Sequence, residues 1–278
     1  MRKYIMIIAL LAAGLTVYAQ KAVTVKGSTT VLPFAQKAAE AYMNNNPGKA
    51  VSISGGGSGV GIAALVDGTT EVAMSSRIIK DSERAALEGN ITIYNIAQDA
   101  VAMIVNVSNP VENLTQEQVK GIYSGTIKNW KELGGGDVKI HLVNRESSSG
   151  TFEAFKTFTL LSKLKGSAQA SNQAVVTAVA QAKGGIGYVG LGYIDQKGIK
   201  ALTLDGVKPS VITVLGRKYP YSRYLYMATR ANARAQVVDF INFVRGNAGQ
   251  KIAESVDLVP QYQTPVSEPP QDKVLAGK

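Results

Sequence analysis

A predicted strand, a polar break and a predicted helix follow one another in VTVKGSTTVLPFAQKAAEAYMNN, residues 23–45. Alternating valines favour a strand in the first residues of this stretch. The residues that follow have helical spacing, which places Leu32, Ala35, Ala39, Tyr42 and Met43 on one face of a predicted helix. Between strand and helix, the break places Ser28, Thr29 and Thr30 just before Val31, where we expect the helix to begin.

The same order of strand, small-residue break and helix occurs twice more, in SGGGSGVG at 54–61 and RESSSGT at 145–151. Strands are predicted at Val23–Lys26, Val51–Ser54, Glu71–Ser75, Ile91–Ile96, Val101–Val105, Lys139–Val143, Gly187–Tyr193 and Tyr224–Thr229. Strands that alternate with helices indicate an α/β protein with mixed, mainly parallel sheets. Ligands of such sheets bind outside the carboxyl ends of the strands, where all three breaks fall.

Each break is a candidate anion-binding site. The first four amides of a helix lack a partner within the helix, and the helix dipole places about half a positive charge there. In the third break, Arg145 can donate two parallel hydrogen bonds to an oxyanion. Ser149, Gly150 and Thr151 would open the helix that follows. Three such ends in one chain suggest convergence on a single oxyanion.

Three further side chains are candidates for anion binding. Ser58 is the expected donor of the glycine-rich break, and Ser76 and Arg77 directly follow another predicted strand. Simpler explanations stay open: ordinary helix capping for the hydroxyl runs, a flexible loop for the glycine-rich break, and a surface salt bridge for Arg77.

The composition argues against several classes of function. The 278 residues carry a formal net charge of +10, no cysteine and a single histidine, His141. The lack of cysteine excludes disulfides and thiolate metal sites, and we expect neither a metal nor a cofactor. No Walker A motif occurs, and Gly185, Gly187 and Gly190 stand between a predicted helix and a strand, the reverse of a dinucleotide fingerprint. Serine hydrolysis would depend on His141 alone, so we expect no enzyme.

The two ends of the chain differ from the rest. Arg2 and Lys3 precede an apolar run that ends at Ala19 with the small residues of a signal-peptidase site. We expect residues 1–19 to be a signal peptide cleaved after Ala19 and the mature protein to be periplasmic; an uncleaved anchor is the alternative. Cleavage would lower the net charge by two, to +8, a value that steers anions of any kind. The proline-containing residues 265–278 predict a poorly ordered tail.

Seven segments together resemble a known family. They are KGSTTVLP (26–33), SGGGSGVGI (54–62), AMSSR (73–77), LTQEQVKGIYSGTIKNWKELGG (114–135), VNRESSSGT (143–151), GGIGYVGLGY (184–193) and YPYSRYLYMAT (219–229). In this order they resemble the PstS-like class of periplasmic solute-binding proteins, the receptors of the bacterial ABC-type phosphate importer. YSGTIKNW and R-x-x-x-S-G-T are the most specific of these matches.

The resemblance implies a two-lobed periplasmic binding protein fold of type II, in which two hinge strands join the lobes and the lobes close on phosphate. Lobe 1 would comprise residues 20–100 and 226–264, and lobe 2 residues 101–225. The hinge crossings would lie near 98–106 and 221–230.

By motif position, the resemblance also implies a set of phosphate-binding residues. They are Ser28, Thr29, Thr30, Val31, Ser58, Ser76, Arg77, Arg145, Ser149, Gly150 and Thr151. The register within 28–31 is open by one residue. The implied partners are inorganic phosphate and an inner-membrane ABC permease with its ATPase, the protein acting as a monomer without nucleic acid.

One position departs from the family pattern. Well-known members have an aspartate after the strand equivalent to 71–75, where it accepts the proton of hydrogen phosphate and repels sulfate; here that position is Ser76. A serine can accept the proton but adds no repulsion, so Glu146 or a backbone carbonyl could supply the discrimination instead. A binding protein for another tetrahedral oxyanion, such as sulfate or molybdate, therefore stays open. Two further alternatives rest on other features: an exported phosphate-ester hydrolase that uses one of the serines, and an adhesin or nucleic-acid-binding surface protein suggested by the basic charge.

Overall fold

The computed structural model describes residues 21–262, so the predicted signal peptide and tail lie outside the described residues. The strands are β1 (Val23–Gly27), β2 (Val51–Ser54), β3 (Val72–Ser75), β4 (Ile91–Asn106), β5 (Asn113–Leu114), β6 (His141–Arg145), β7 (Ser167–Gln169), β8 (Gly185–Gly190), β9 (Ile199–Ala201), β10 (Thr203–Leu204), β11 (Ser222–Arg230) and β12 (Val259–Pro260). The helices are α1 (Leu32–Asn45), α2 (Ser58–Val66), α3 (Asp81–Ala85), α4 (Gln116–Ser124), α5 (Gly150–Thr159), α6 (Asn172–Gln181), α7 (Val211–Leu215), α8 (Ala235–Arg245) and α9 (Asn247–Glu254). Short 3-10 helices lie at Trp130–Leu133 and Leu191–Tyr193. None of the helices between residues 21 and 262 is long and apolar enough to cross a bilayer.

The longest strand, β4, is continuous where the sequence predicts two strands. The expected interruption contains Asp99, a charged residue in an otherwise apolar run. The strand continues because its backbone pairs with β11, with Asp99 opposite Arg223, and because the Arg223 guanidinium neutralises the buried carboxylate. A buried charge is tolerated in a sheet when it is paired in this way.

The main sheet is mixed, as predicted. Its strand order is β2-β1-β3-β11-β4-β8-β6-β7, and β9 and β12 also pair with β4. Parallel pairs form both flanks, where β1 pairs with β2 and β3, and β6 with β7 and β8. The centre is antiparallel because the chain leaves one half of the sheet along β4 and returns along β11. Parallel pairing is therefore confined to the flanks and does not dominate the sheet.

Two large hydrophobic clusters lie on the two halves of this sheet. One draws its residues from 23–97 and 225–258 and includes Phe34 and Phe240. The other draws its residues from 100–221, together with Val259 from the C-terminal part, and includes an aromatic group with Phe155. The lobe boundaries given in the sequence analysis stay a prediction.

At each of the three breaks singled out in the sequence, a helix begins within a few residues of the carboxyl end of a strand. Helix α1 follows β1, α2 follows β2, and α5 follows β6. Because β1 and β2 are parallel neighbours and β6 lies on the other flank, two of these helix ends come from one half of the sheet and the third from the other half.

Candidate anion-binding site

The threonine hydroxyls of the first break do not cap the helix that follows. Helix α1 begins one residue later than predicted, with Val31 as a cap that makes no side-chain bond. Ser28 bonds locally, its Oγ accepting from the amide of Thr30 at 3.2 Å. The side chains of Thr29 and Thr30 instead bond residues more than a hundred positions away, and all three hydroxyl residues are buried. Ordinary capping therefore does not account for the two threonines.

The glycine-rich break brings the second helix against the third break. Gly57 precedes α2 with a φ of 97°, a conformation that favours glycine. The amide of Gly59 donates to the carbonyl of Ser148 at 2.9 Å. Ser58 is fully buried, and its Oγ accepts from the amide of Ser76 at 3.0 Å. The predicted donor of this break therefore lies beside the serine that follows β3.

The third break completes the cluster. Ser149 caps α5, its Oγ accepting from the amide of Phe152 at 3.2 Å. A Cβ placed on Gly150 would lie 2.7 Å from the Ser76 Oγ and closer still to that of Ser58, so only glycine fits there. The hydroxyls of Thr151 and Thr30 are 3.0 Å apart. The predicted convergence of the three helix N-termini is thus present in the structure.

Arg145 is the cation of this cluster, and one of its nitrogens has no partner. Its Nε donates to the carbonyl of Gln169, and Nη2 donates to the carbonyl of Ala170 and to the Thr29 Oγ1. Nη1 is buried and has no hydrogen-bond partner within residues 21–262. Burial lowers the pKa of Arg145 to about 10, so the guanidinium remains charged at neutral pH.

Two predicted side chains lie outside the cluster: that of Val31 packs in the hydrophobic core, and that of Arg77 bonds elsewhere. The Arg77 guanidinium forms a two-pronged ion pair with Glu83, with Nη1 and Nη2 at 2.8 and 2.6 Å from the two carboxylate oxygens. Nη1 also donates to the carbonyl of Ile78. The geometry matches the salt-bridge alternative, although the pair is largely buried and not at the surface.

Sequence reasoning missed two residues that adjoin the threonines. Asn172 is fully buried at the start of α6, and its Nδ2 lies 3.1 Å from the Oγ1 atoms of both Thr29 and Thr30. The hydroxyl of Tyr193 donates to the carbonyl of Thr29 at 2.7 Å. The turn before Asn172 is a fourth strand-to-helix break, which was the available signal.

A buried ion pair forms the floor of the cluster and was also missed. The Arg223 Nη2 lies 2.7 Å from the Asp99 Oδ2 and 3.3 Å from the Thr30 Oγ1, and Nη1 donates to the carbonyl of Ser76. The other oxygen of Asp99 accepts from the amide of Leu191 at 2.8 Å. Asp99 thus compensates Arg223, whereas no ion pair within residues 21–262 includes Arg145.

The charges and donors of the cluster suit a tetrahedral oxyanion. One uncompensated guanidinium and three helix N-termini supply positive potential, and the hydroxyls supply donors without further charge. His141 is exposed at the opposite end of β6 from Arg145, about 13 Å away for four residues of extended strand. The cluster therefore holds donors for an anion without an imidazole to activate a serine.

Comparison with known proteins places the chain in a family. Residues 14–247 match the model of the PBP superfamily domain. The chain is 32% identical over 235 residues to the phosphate-binding protein PstS of Bacillus subtilis, covering 84% of this chain and 78% of that protein. It is 32% identical over 275 residues to PstS of Borreliella burgdorferi, covering 91% and 97% of the two chains.

Solved structures agree with these relatives. A putative phosphate ABC transporter substrate-binding protein with bound phosphate from Clostridium perfringens superposes with a TM-score of 0.83 at 32% identity, over 87% of this chain and all of that one. An ABC-type phosphate transport receptor from Vibrio cholerae gives a TM-score of 0.71 at 31% identity, over 86% of this chain and all of that one. With its three helix ends, its unpaired arginine and these relatives, the chain belongs to the PstS family of phosphate-binding proteins within the PBP superfamily.

Proposed function

We propose that this protein is a non-enzymatic, high-affinity receptor that binds inorganic phosphate and delivers it to an ABC importer. The observation that carries the proposal is the buried Arg145 guanidinium, whose Nη1 has no partner among the described residues and which lies beside three converging helix N-termini. Phosphate is also the ligand named for the PstS relatives and seen in the Clostridium perfringens structure.

The binding energy would come from hydrogen bonds to a charged ligand. Each such bond contributes about 1.5–3 kcal/mol, so several donors in a closed cleft are enough for tight binding after entropy costs. The proposed ligand residues are Thr29, Thr30, Ser58, Ser76, Arg145, Ser149, Gly150 and Thr151, together with the backbone amide of Val31, and Ser28 is a local support. Arg77 is left out because Glu83 occupies its guanidinium.

Delivery would follow from movement of two lobes. The proposed lobes are residues 20–100 with 226–264 and residues 101–225, with β4 and β11 as the hinge strands. The closed form would be recognised by an inner-membrane permease and its ATPase. We further propose that the mature protein, cleaved after Ala19, acts as a monomer in the periplasm.

Calorimetric titration of the purified protein, freed of bound anion, tests the ligand. We expect one phosphate per chain with submicromolar affinity. No measurable binding of phosphate at millimolar concentration would contradict the proposal.

A receptor for another tetrahedral oxyanion is the second candidate, because Ser76 brings no negative charge to repel sulfate. Competition between phosphate and sulfate across pH 5–8 separates the two candidates. We expect phosphate to be preferred throughout, and equal or tighter binding of sulfate would favour the second candidate.

A further inference from the structure

Asn172 is a fully buried amide whose orientation is fixed by its surroundings. Its Oδ1 lies 3.3 Å from the backbone amide nitrogen of Gly190. Because Gly190 can only donate there, the oxygen of Asn172 must face it, and the NH₂ group must face the threonines. Its two hydrogens then match two acceptors, the Oγ1 atoms of Thr29 and Thr30, each at 3.1 Å.

The hydrogen bonds of the two threonines can be counted. A hydroxyl has one hydrogen and two lone pairs. The Thr29 Oγ1 accepts from Asn172 and from the Arg145 Nη2 at 3.3 Å, and the Thr30 Oγ1 accepts from Asn172 and from the Arg223 Nη2 at 3.3 Å. All of these partners are obligate donors, so both lone pairs of each hydroxyl are filled. Each hydroxyl keeps only its hydrogen: that of Thr30 faces the Thr151 Oγ1, 3.0 Å away, whereas that of Thr29 has no acceptor among residues 21–262.

We propose that Asn172 is a positioning residue that holds both hydroxyls as hydrogen-bond donors, that of Thr29 toward the bound anion and that of Thr30 toward Thr151. This inference rests on the proposed function. Without the amide, the Thr29 hydroxyl has an open lone pair and can rotate that lone pair toward the anion, which is repulsive, and the Thr30 hydroxyl is free to accept from Thr151 instead of donating to it. Donors held in place before the ligand arrives need no reorganisation on binding.

Asn172 could act only by holding the two proposed lobes together, and Tyr193 provides a control for that role. Asn172 lies in the proposed lobe 2 and Thr29 in lobe 1, so the contact between them also bridges the lobes. Tyr193 makes a similar bridge, since its hydroxyl donates to the carbonyl of Thr29 but not to a threonine hydroxyl. Tyr193→Phe therefore weakens closure without changing which way the hydroxyls point.

A double-mutant cycle tests the proposal through phosphate affinity. Asn172→Leu keeps the size of the side chain and removes both donors. In the wild-type background we expect this substitution to weaken phosphate binding about tenfold or more. In the Thr29→Val background we expect less than a third of that factor, because one of the two hydroxyls that Asn172 contacts is already absent. Tyr193→Phe should weaken binding about threefold at most. Affinities of weak variants are measured by phosphorus NMR with millimolar phosphate.

Three results would overturn the inference: an equal loss in both backgrounds, wild-type affinity of Asn172→Leu, or a loss in Tyr193→Phe as large as in Asn172→Leu. Melting curves of the ligand-free variants control for folding, and Asn172→Ala replaces Asn172→Leu in the cycle if the latter fails to fold. If the wild type binds no phosphate, the proposed function itself fails; if the wild type binds and the cycle is additive, only the role of Asn172 fails.

Discussion

Arg145 and Arg223 are both buried, but only one of them has a carboxylate partner. Arg223 is bonded to Asp99 through Nε and Nη2, whereas the Arg145 guanidinium bonds two carbonyls and a threonine hydroxyl. Taking an unpaired cation out of water costs several kcal/mol, and a bound anion offsets that cost. The ligand-free site is thus the less favourable state of this residue.

Replacing Arg145 should weaken phosphate binding without lowering the thermal stability of the ligand-free protein. We expect Arg145→Ala to weaken phosphate binding at least about tenfold, because charge-assisted hydrogen bonds are lost, while the ligand-free protein melts no lower than the wild type. Calorimetry and thermal unfolding measure the two effects. Arg234→Ala removes the same charge from a pair with Glu71 outside the cluster and should leave affinity unchanged. Wild-type affinity of Arg145→Ala would contradict the assignment.

At the scale of elements, the site depends on how closely helix α5 approaches α2. The first residue of α5 is Gly150, and the absence of its Cβ lets the helix end reach Ser58 and Ser76. Closer approach of a helix N-terminus strengthens its interaction with an anion, since the dipole acts within the first turn. A single missing methyl group therefore sets the width of the cleft.

Gly150→Ala should widen the cleft. The new Cβ must displace the two serines or the helix, so we expect a loss of about 1–3 kcal/mol in the free energy of unfolding. We also expect at least about tenfold weaker phosphate binding, because the helix end no longer reaches the anion. Chemical denaturation and calorimetry check the two changes. Gly136→Ala is the control, since its Cβ would meet only the Val138 side chain, at 3.9 Å. Equal effects in both variants would contradict a specific role of Gly150.

At the scale of the whole molecule, the two halves of the sheet meet at the cluster. The amide of Gly59 reaches Ser148, and Thr30 reaches Thr151. Arg145 and Arg223 both lie there, and the positive charge of Arg223 helps to lower the pKa of Arg145 after the larger effect of burial. An anion relieves this repulsion, so phosphate should favour the closed form by binding it preferentially.

Small-angle scattering tests the closure. We expect the radius of gyration to fall when phosphate is added to anion-free protein, and no change to occur on adding chloride at equal ionic strength. A radius that phosphate leaves unchanged would count against the hinge at β4 and β11.

Buried tyrosines should make the whole fold sensitive to alkali. Burial raises the pKa values of Tyr123, Tyr188, Tyr193, Tyr219, Tyr221 and Tyr226 above the ordinary value of 10, to about 12 for Tyr193 and Tyr226. Above pH 10 the unfolded chain loses these protons before the folded chain does, so the free energy of unfolding falls as pH rises from about 10 to 12. Arg145, with its lowered pKa, acts in the opposite direction but is a single group. Urea unfolding at pH 9 and 11 measures the difference; equal stability would contradict it.

The sequence by itself determined the features that depend on neighbouring residues. Valine alternation, helical spacing and the hydroxyl break predicted β1, β2 and the starts of α1 and α5 to within one residue, and the glycine-rich break predicted a helix after β2, because capping and periodicity are local effects. The same breaks predicted a convergent cluster, and Ser58, Gly150 and Thr151 lie in it.

Tertiary structure decided which side chains face the cluster. Arg77 and Arg223 are both arginines near serines in the sequence, yet Glu83 holds the first away from the cluster and Asp99 holds the second against Thr30. No local pattern distinguishes them, because their partners are six residues away in one case and more than a hundred in the other. Asn172 likewise acquires its place only when the start of α6 meets the turn that follows β1, since these hydrogen bonds join residues about 140 positions apart.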